Sequence, residues 1–290
     1  MDVVGDGTMG LRRPGGSPLN VAYGLGRLGI ETAFLTHIGV DPDGDAIQRH
    51  LADAHVGLVA GSIGAKRTNS AVASIRSDGR AEYVFDIEWV LPGFRTLKMP
   101  AWVHVGSIST FLKPGADSVE RLLHSLSAGP TISYDPNIRP ALVGEHSDAL
   151  DRFERFVRLA AVVKLSDEDA AWLYPTLSMD FVIDRILSLG AMLVALTRGA
   201  AGARIATQHH VTDVIAPRVE VSDAIGAGDS FMATLIAELL LDGPVVHMKE
   251  QLERIGARAA AAAALTCQRA GAQPPTRAEL DSALQPGARG

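Results

Sequence analysis

Short apolar runs alternate with stretches of helical periodicity along most of the chain. Runs of four or five apolar residues are typical of buried strands, whereas the longer stretches repeat their apolar positions every three or four residues. The clearest strand runs are 102–105, 131–134, 161–165 and 192–196, and the clearest helical stretches are 118–126 and 181–189. Because parallel strands are joined by helices that cover both faces of their sheet, the pattern predicts an α/β fold with a mostly parallel sheet.

One segment departs from this alternation. Residues 69–75 and 81–87 are consecutive β-like runs, and the Ser-Asp-Gly-Arg sequence at 77–80 between them is a hairpin signal. On the residues alone, the two runs form either a small separate β unit or a plain hairpin at the edge of the main sheet.

Composition favours a cytoplasmic enzyme. The 290 residues are enough for one large α/β domain, and the net charge of −6 with scattered basic residues predicts no nucleic-acid or membrane surface. Cys267 has no internal partner, which fits a reducing compartment. No apolar run reaches the roughly 18 residues of a membrane span.

The turn at 223–231 carries the chemistry. Strand-like residues 218–221 lead into it, and the apolar residues 232–241 that follow predict a helix. Gly226 and Gly228 leave the backbone N–H groups open to an anion at the positive end of that helix. Asp229 would repel such an anion, so it is either a base that takes a proton from an attacking hydroxyl or simply an acidic residue favoured at a helix start.

A second glycine pattern is not a nucleotide site. Residues 24–29 spell Gly-x-Gly-x-x-Gly, but they fall at the end of a helical pattern instead of between a strand and a helix. Gly29 is better interpreted as the residue that ends this helix before a strand at 32–38.

Three motifs, in order, resemble those of the ribokinase-like PfkB family of carbohydrate kinases. Residues 223–231 match its C-terminal signature except that Ala224 replaces the usual threonine. Residues 14–22 resemble its N-terminal signature, and residues 38–44 match its Gly-x-Asp-x-x-Gly turn. The Asp-Pro-Asn-Ile-Arg-Pro sequence at 135–140 resembles fructokinase-like members in particular.

The resemblance implies a three-layer α/β/α domain over 1–290, with 56–90 as a small β lid that often provides a dimer surface. It also implies ATP-dependent phosphorylation of a sugar hydroxyl. Asp229 would be the base and Gly226, Ala227 and Gly228 the anion hole. The sugar-binding residues would be Gly15, Gly16, Asn20, Asn137 and Arg139.

Nucleotide and ion sites follow from the same resemblance. The ATP-binding residues would be Thr197, Gly199, Gly202, Asp223, Gly226 and Gly228. Asp169 stands where the family has the glutamate that organises the Mg²⁺ water shell, although a serine N-cap with acidic first-turn residues also explains this stretch. A monovalent cation such as K⁺ would lie between the loop 270–272 and Asp223. The Asn-x-Arg turn at 137–139 and the glycine loop at 15–16 have purely structural interpretations as well.

The N-terminus departs from the family. Relatives begin with a full strand that ends in a sugar-binding aspartate, and ungapped alignment places Asp2 on that aspartate, with the strand before it lost. Either the start codon was assigned too late, or the protein is a shortened one with a truncated first strand, in which case we expect weakened sugar affinity. Two other functions stay open: a kinase for 2-keto-3-deoxygluconate or ribose, and a non-catalytic sugar-binding or regulatory protein on the kinase fold.

Overall fold

The computed structural model describes residues 2–4, 11–75, 81–94, 98–126 and 129–285. Its strands are β1 Asp2–Val4, β2 Leu11–Arg13, β3 Ala33–Phe34, β4 Ile38–Gly39, β5 Gly57–Leu58, β6 Ile63–Ala65, β7 Ser70–Ile75, β8 Ala81–Asp86, β9 Trp102–Gly106, β10 Thr131–Asp135, β11 Val162–Ser166, β12 Leu193–Thr197, β13 Ala203–Ala206 and β14 Val211–Val214. Its α-helices are α1 Ser17–Arg27, α2 Pro42–Asp53, α3 Gly115–Ser125, α4 His146–Val157, α5 Asp167–Leu173, α6 Met179–Ser188, α7 Ala227–Asp242, α8 Lys249–Cys267 and α9 Arg277–Ala283.

A six-stranded sheet forms the centre of the molecule. Its order is β14-β13-β12-β11-β10-β9. Strands β9 to β12 are parallel, whereas β13 is antiparallel to both of its neighbours, β12 and β14. One hydrophobic cluster joins the sheet to α1, α7 and α8, and another joins it to α3, α4, α5 and α6. Helices therefore cover both faces, and the predicted three-layer α/β fold is confirmed.

The ends of the parallel strands define one functional edge. Asp135, the last residue of β10, is in register with Gly106 of β9, and Ser166 at the end of β11 is in register with Thr197 of β12. The carboxyl ends of parallel strands are where open α/β sheets form ligand crevices. The predicted substrate turn at 135–140 begins at this edge.

The predicted hairpin belongs to a separate sheet. Strands β7 and β8 are antiparallel, with Ser70 opposite Asp86 and Ile75 opposite Ala81, and they join β1 and β2 in the order β2-β1-β7-β8. The turn residues 77–80 lie outside the described residues. A lid function for 56–90 stays a prediction.

Two predicted strands were wrong. Residues 218–221 pair with no other strand in the described part of the chain, because they follow β14 over the surface and have no buried face. The predicted strand at 32–38 is broken into β3 and β4, which pair with β5 and β6 respectively.

Helix α1 ends where the glycine pattern indicated. Leu28 caps the helix and Gly29 follows with φ +77°, so Gly29 ends the helix as predicted. A Cβ on Gly24 would lie 2.9 Å from the Cβ of Ala233, which shows that this glycine allows α1 to approach α7 closely. Among the described residues, none of the helices has the length and apolar composition needed to span a bilayer.

Candidate active site

The predicted sugar-binding residues on α1 and after β10 meet residues of the predicted anion hole in one large cavity at the functional edge of the sheet. Its volume is about 2090 Å³, and its wall includes the loop before α1, the turn after β10 and the first turn of α7. Gly15, Gly16, Asn20, Asn137 and Arg139 all line it, as do Gly226, Gly228, Asp229 and Asp169. The sequence motifs, up to 209 residues apart, therefore converge on one space.

Gly226 shapes the anion-binding turn. It precedes α7 with φ +78°, a left-handed conformation that glycine adopts without a steric cost. A Cβ at this position would also lie 2.5 Å from the Cβ of Ala272, so the loop after α8 packs directly against the turn. The first N–H groups of a helix have no intrahelical acceptor, but that of Ala227 donates a hydrogen bond of 3.3 Å to the carbonyl oxygen of Ala224. Of the three predicted anion-hole residues, Gly226 and Gly228 therefore keep N–H groups without a backbone acceptor among the described residues, at the positive end of α7.

Asp229 is held by a residue of the predicted sugar loop. Its carboxylate is in the first turn of α7 and only 7% exposed, and Asn20 Nδ2 donates a hydrogen bond of 2.8 Å to its Oδ2. The Oδ1 atom of Asn20 is buried and has no partner among the described residues. This hydrogen bond links the two motifs directly. An aspartate that only stabilised the start of α7 would not require it.

The loop before α1 leaves room for a ligand. Gly16 precedes the helix with φ +107°, and apart from its chain neighbours no atom of the described residues lies within 4 Å of the position that its Cβ would take. Pro18 lies in the first turn of α1, where its fixed φ fits the helix and its missing N–H is not needed. The open space above Gly16 is what the predicted sugar-binding function requires.

The turn after β10 is held in an unusual conformation. Asn137 has φ +39°, and its Oδ1 accepts a hydrogen bond of 2.6 Å from Arg139 Nη1. Asp169 Oδ1 accepts a second one, of 2.7 Å, from the N–H of Ile138. The turn is therefore braced from within and from α5, and it places Asn137 and Arg139 at the cavity.

Comparison with known proteins agrees with this geometry. The model of the pfkB family of carbohydrate kinases matches residues 7–279. The chain belongs to the pfkB family of carbohydrate kinases.

Among its relatives are two bacterial fructokinases. The fructokinase of Rhizobium leguminosarum bv. trifolii is 34% identical over 254 residues, covering 83% of this chain and 78% of the relative. The fructokinase of Klebsiella pneumoniae is 32% identical, covering 82% of this chain and 80% of the relative.

Two solved structures share the fold closely. A double mutant of the Vibrio cholerae O395 fructokinase, bound to fructose, ADP and potassium, has a TM-score of 0.83 at 28% identity over 98% of this chain and 95% of that one. A fructokinase of Xylella fastidiosa with bound ATP has a TM-score of 0.82 at 26% identity over 97% and 94% of the two chains. The ribokinase-like fold and the kinase class are confirmed.

In the structure of this carbohydrate kinase, Asp169 holds the turn after β10 and the start of α5 together by hydrogen bonds. Besides the bond to Ile138, its Oδ2 accepts hydrogen bonds from the N–H and the hydroxyl of Ser166, which completes a capping box at the start of α5. The described residues contain no group of three potential metal ligands. Mg²⁺ commonly binds through substrate phosphates, water and one or two carboxylates, so its binding would not require such a group. A metal function for Asp169 stays a prediction.

Asp223 fixes the loop after α8 to the anion-binding turn. Its Oδ1 accepts a hydrogen bond of 3.0 Å from the N–H of Ile225, and its Oδ2 accepts one of 2.8 Å from the N–H of Gly271. The two segments between which the K⁺ site was predicted are therefore adjacent, whereas K⁺ binding itself stays a prediction.

The predicted nucleotide turn at 197–202 lies beside the cavity instead of in its wall. Thr197 pairs with Ser166 at the same sheet edge, but Thr197, Gly199 and Gly202 are not among the residues that line the cavity. A Cβ on Gly202 would lie 1.9 Å from the carbonyl oxygen of Val214, so packing against β14 explains this glycine. Nucleotide binding by the turn stays a prediction.

Asp2 cannot be placed in the site. Its backbone belongs to β1, opposite Ala71 of β7, and its side chain lies outside the described part of the chain. Both its sugar contact and the loss of a preceding strand stay predictions.

The sequence interpretation missed one charged pair. Lys164 Nζ lies 2.9 Å from Asp135 Oδ2, and both side chains are buried. The signal was present in the sequence, because a lysine interrupts the apolar run of β11 and thus marks a position that only a specific partner can stabilise.

Proposed function

We propose that this carbohydrate kinase transfers the γ-phosphoryl group of ATP to a hydroxyl of fructose, with Asp229 as the base. One observation carries the proposal: Asp229 is buried beside the anion-binding turn and is held by Asn20 of the sugar loop. A carboxylate in this position faces both a hydroxyl in the cavity and a phosphate at the start of α7. It can therefore act on the acceptor while the turn binds the donor.

The proposed reaction consists of one proton transfer and one phosphoryl transfer. Asp229 takes the proton of the acceptor hydroxyl, and the oxygen forms a bond to the γ-phosphorus as the bond to the bridging oxygen of ADP breaks. The N–H groups of Gly226 and Gly228 and the α7 dipole stabilise the charge on the transferring group. Asn20 orients the Asp229 carboxylate. When bound, Mg²⁺ supplies charge neutralisation at the donor phosphates.

Fructose and ATP are supported as substrates by similar proteins. The Vibrio cholerae structure at 28% identity holds fructose, ADP and potassium, and the Xylella fastidiosa structure at 26% identity holds ATP. A kinase for 2-keto-3-deoxygluconate or ribose has no such support among the relatives described above. We also infer Mg²⁺ and K⁺ dependence, a cytoplasmic location and a homodimer formed through the predicted β lid at 56–90. Sedimentation analysis would test the oligomeric state.

Asp229→Asn tests the base. The amide keeps the size and the hydrogen-bonding partner but cannot take a proton, so we expect the rate of ADP formation with fructose to fall by about 10²–10⁴-fold. ATP binding, measured by calorimetry, should change little. Asp151→Asn, on the exposed face of α4, is the matched control and should leave turnover unchanged. Turnover of Asp229→Asn within a few-fold of wild type would contradict the assignment.

An acceptor panel tests the substrate. Fructose, 2-keto-3-deoxygluconate, ribose and aminoimidazole riboside are each assayed with ATP and Mg²⁺, and we expect the highest kcat/KM with fructose. A higher kcat/KM with another sugar would keep Asp229 as the base and change only the acceptor. A wild-type protein that binds fructose but phosphorylates none of the four would instead support a binding or regulatory protein.

A further inference from the structure

Lys164 and Asp135 form an ion pair inside the central sheet. Lys164 is in the middle of β11 and 4% exposed, whereas Asp135 ends β10 and is 0% exposed. Their Nζ and Oδ2 atoms are 2.9 Å apart. Burying two charges costs free energy that their attraction repays only when the remaining polar atoms are also satisfied.

The pair does not meet that condition. Asp135 Oδ1 is buried without a hydrogen-bond partner among the described residues. An apolar pair of similar volume would be at least as favourable for stability at such a place. The arrangement therefore indicates a use other than stability.

The ammonium lies against the anion-binding turn. Lys164 Nζ would be 2.8 Å from a Cβ on Gly228, so the missing side chain at 228 provides the space that the ammonium occupies. Lys164 also lines the same cavity as Gly226 and Asp229. An ammonium can donate three hydrogen bonds, and within the described residues Asp135 Oδ2 accepts one.

Both groups are charged at neutral pH. Burial acts to lower the pKa of Lys164, but the carboxylates of Asp135, Asp169 and Asp229 outweigh it and raise that pKa overall. Burial raises the pKa of Asp135 to about 6 against the opposing effect of Lys164. A protonated lysine next to an ionised Asp135 is therefore the form that meets a substrate.

We propose that Lys164 provides a fixed positive charge to the transferring phosphoryl group, and that Asp135 is the positioning residue that holds the ammonium beneath Gly228. The proposal rests on the phosphoryl transfer proposed above and adds a residue to that site. The N–H groups of Gly226 and Gly228 bring partial charges, whereas Lys164 brings a full charge.

The physical gain is electrostatic. In a site that excludes water, a charge that is already in place when the transition state forms stabilises it without reorganisation. Lysine suits this function because its ammonium is a compact point charge on a chain that Asp135 can fix. A lysine that served only to neutralise Asp135 would have no effect on catalysis once Asp135 were also made neutral.

That difference defines the experiment. Lys164→Met removes the charge but leaves Asp135 buried and unpaired, which could destabilise the fold. The double variant Lys164→Met with Asp135→Asn removes both charges together and avoids this. The exposed Lys249→Met, on α8, is the matched control. Each variant is assayed for Tm, for kcat and KM with fructose and ATP, and for affinity for ADP alone and for ADP with aluminium fluoride, fructose and Mg²⁺.

We expect the double variant to regain a Tm within a few degrees of wild type while its kcat stays lower by about 10²–10³-fold, the effect of removing one such donor elsewhere. Affinity for ADP with aluminium fluoride, which mimics the transferring group, should fall by a similar factor, whereas affinity for ADP alone and the KM for fructose should change less than about threefold. Lys249→Met should match wild type throughout.

A double variant that regains both Tm and kcat would show that Lys164 only neutralises Asp135, and would overturn the proposal. Unchanged affinity for ADP with aluminium fluoride would do the same. Failure of the proposed function would be recognised separately, because wild type itself would then phosphorylate no sugar or Asp229→Asn would remain active.

Discussion

The proposed donor and sugar halves of the site are built in different ways. The donor half lies on interior strands and on α7, and residues 162–165 of β11 are buried throughout. The sugar half lies beside β9, which ends the six-stranded sheet and whose residues 102–105 are only half buried. A Cβ on Gly226 would collide with Ala272, whereas one on Gly16 would meet no described residue beyond its chain neighbours within 4 Å.

This difference predicts different kinetic consequences. Packing fixes the donor half, so a substitution there displaces the groups that act in the transition state and should lower kcat. The sugar half includes the glycine loop at 15–16, which faces the cavity, so a substitution in this loop should change sugar affinity first. The predictions below test this division, from the largest expected effect to the smallest.

Gly226→Ala should have the largest effect. The left-handed φ of +78° and the contact with Ala272 together force the turn to move, at a cost of about 1–3 kcal/mol in stability. Displaced N–H groups should lower kcat by about 10²-fold. The matched change Gly16→Ala also places a side chain at positive φ, but in open space, and should raise the KM for fructose more than it lowers kcat. Equal kinetic profiles for the two variants would contradict the division between the halves.

Asn20→Ala tests the contact that joins the halves. Removing the amide leaves Asp229 without its hydrogen bond, and bonds to charged groups contribute about 1.5–3 kcal/mol. We therefore expect kcat/KM for fructose to fall by roughly 10–100-fold, with both kcat and KM affected. Tyr23→Phe, one turn further along α1, is the control and should behave as wild type. An effect on KM alone would show that Asn20 binds sugar without orienting the base.

The sequence predicted local features well because their causes are local. The glycines at 226 and 228 and the helix after them predict an anion-binding turn wherever they occur, and the capping residues Ser166 and Asp169 specify the start of α5 in the same way. The alternation of apolar runs predicted the parallel strands because each run must be buried on both faces.

The remaining features depend on contacts that no local pattern contains. Asn20 and Asp229 are 209 residues apart, and only the packing of α1 on α7 brings them together. Asp135 and Lys164 lie on neighbouring strands whose pairing had to be known before either charge could be assigned a partner. Residues 218–221 have the composition of a strand, but no strand within the described ranges pairs with them.

Gly228→Ala should have a smaller effect that depends on Lys164. The new Cβ would lie 2.8 Å from Nζ, and because Asp135 holds the ammonium, it cannot move away without weakening the ion pair. Overpacking of this kind costs about 1–3 kcal/mol. In the Lys164→Met background the side chain is one atom shorter, so the loss of Tm caused by Gly228→Ala should largely disappear. Additive losses would mean that the glycine and the lysine are independent.

The last prediction concerns His104 on the edge strand β9, and it uses the pH dependence of the free energy of unfolding to test how open this edge is. Its Nε2 is buried without a partner among the described residues, and burial, assisted by the charge of Lys164, lowers its pKa to about 3 from the ordinary value of about 6.5. The unfolded chain thus binds a proton at this residue as the pH falls below 6.5 while the folded chain does not, so stability is lost toward low pH. Between pH 7 and 5 this one group would contribute up to about 2 kcal/mol to the loss of unfolding free energy, reduced by water that enters the cavity beside β9.

Urea unfolding at both pH values should show a smaller loss of unfolding free energy for His104→Gln than for wild type. An equal loss would mean that water reaches the ring freely, and that the edge at β9 is even more open than the half-buried side chains indicate.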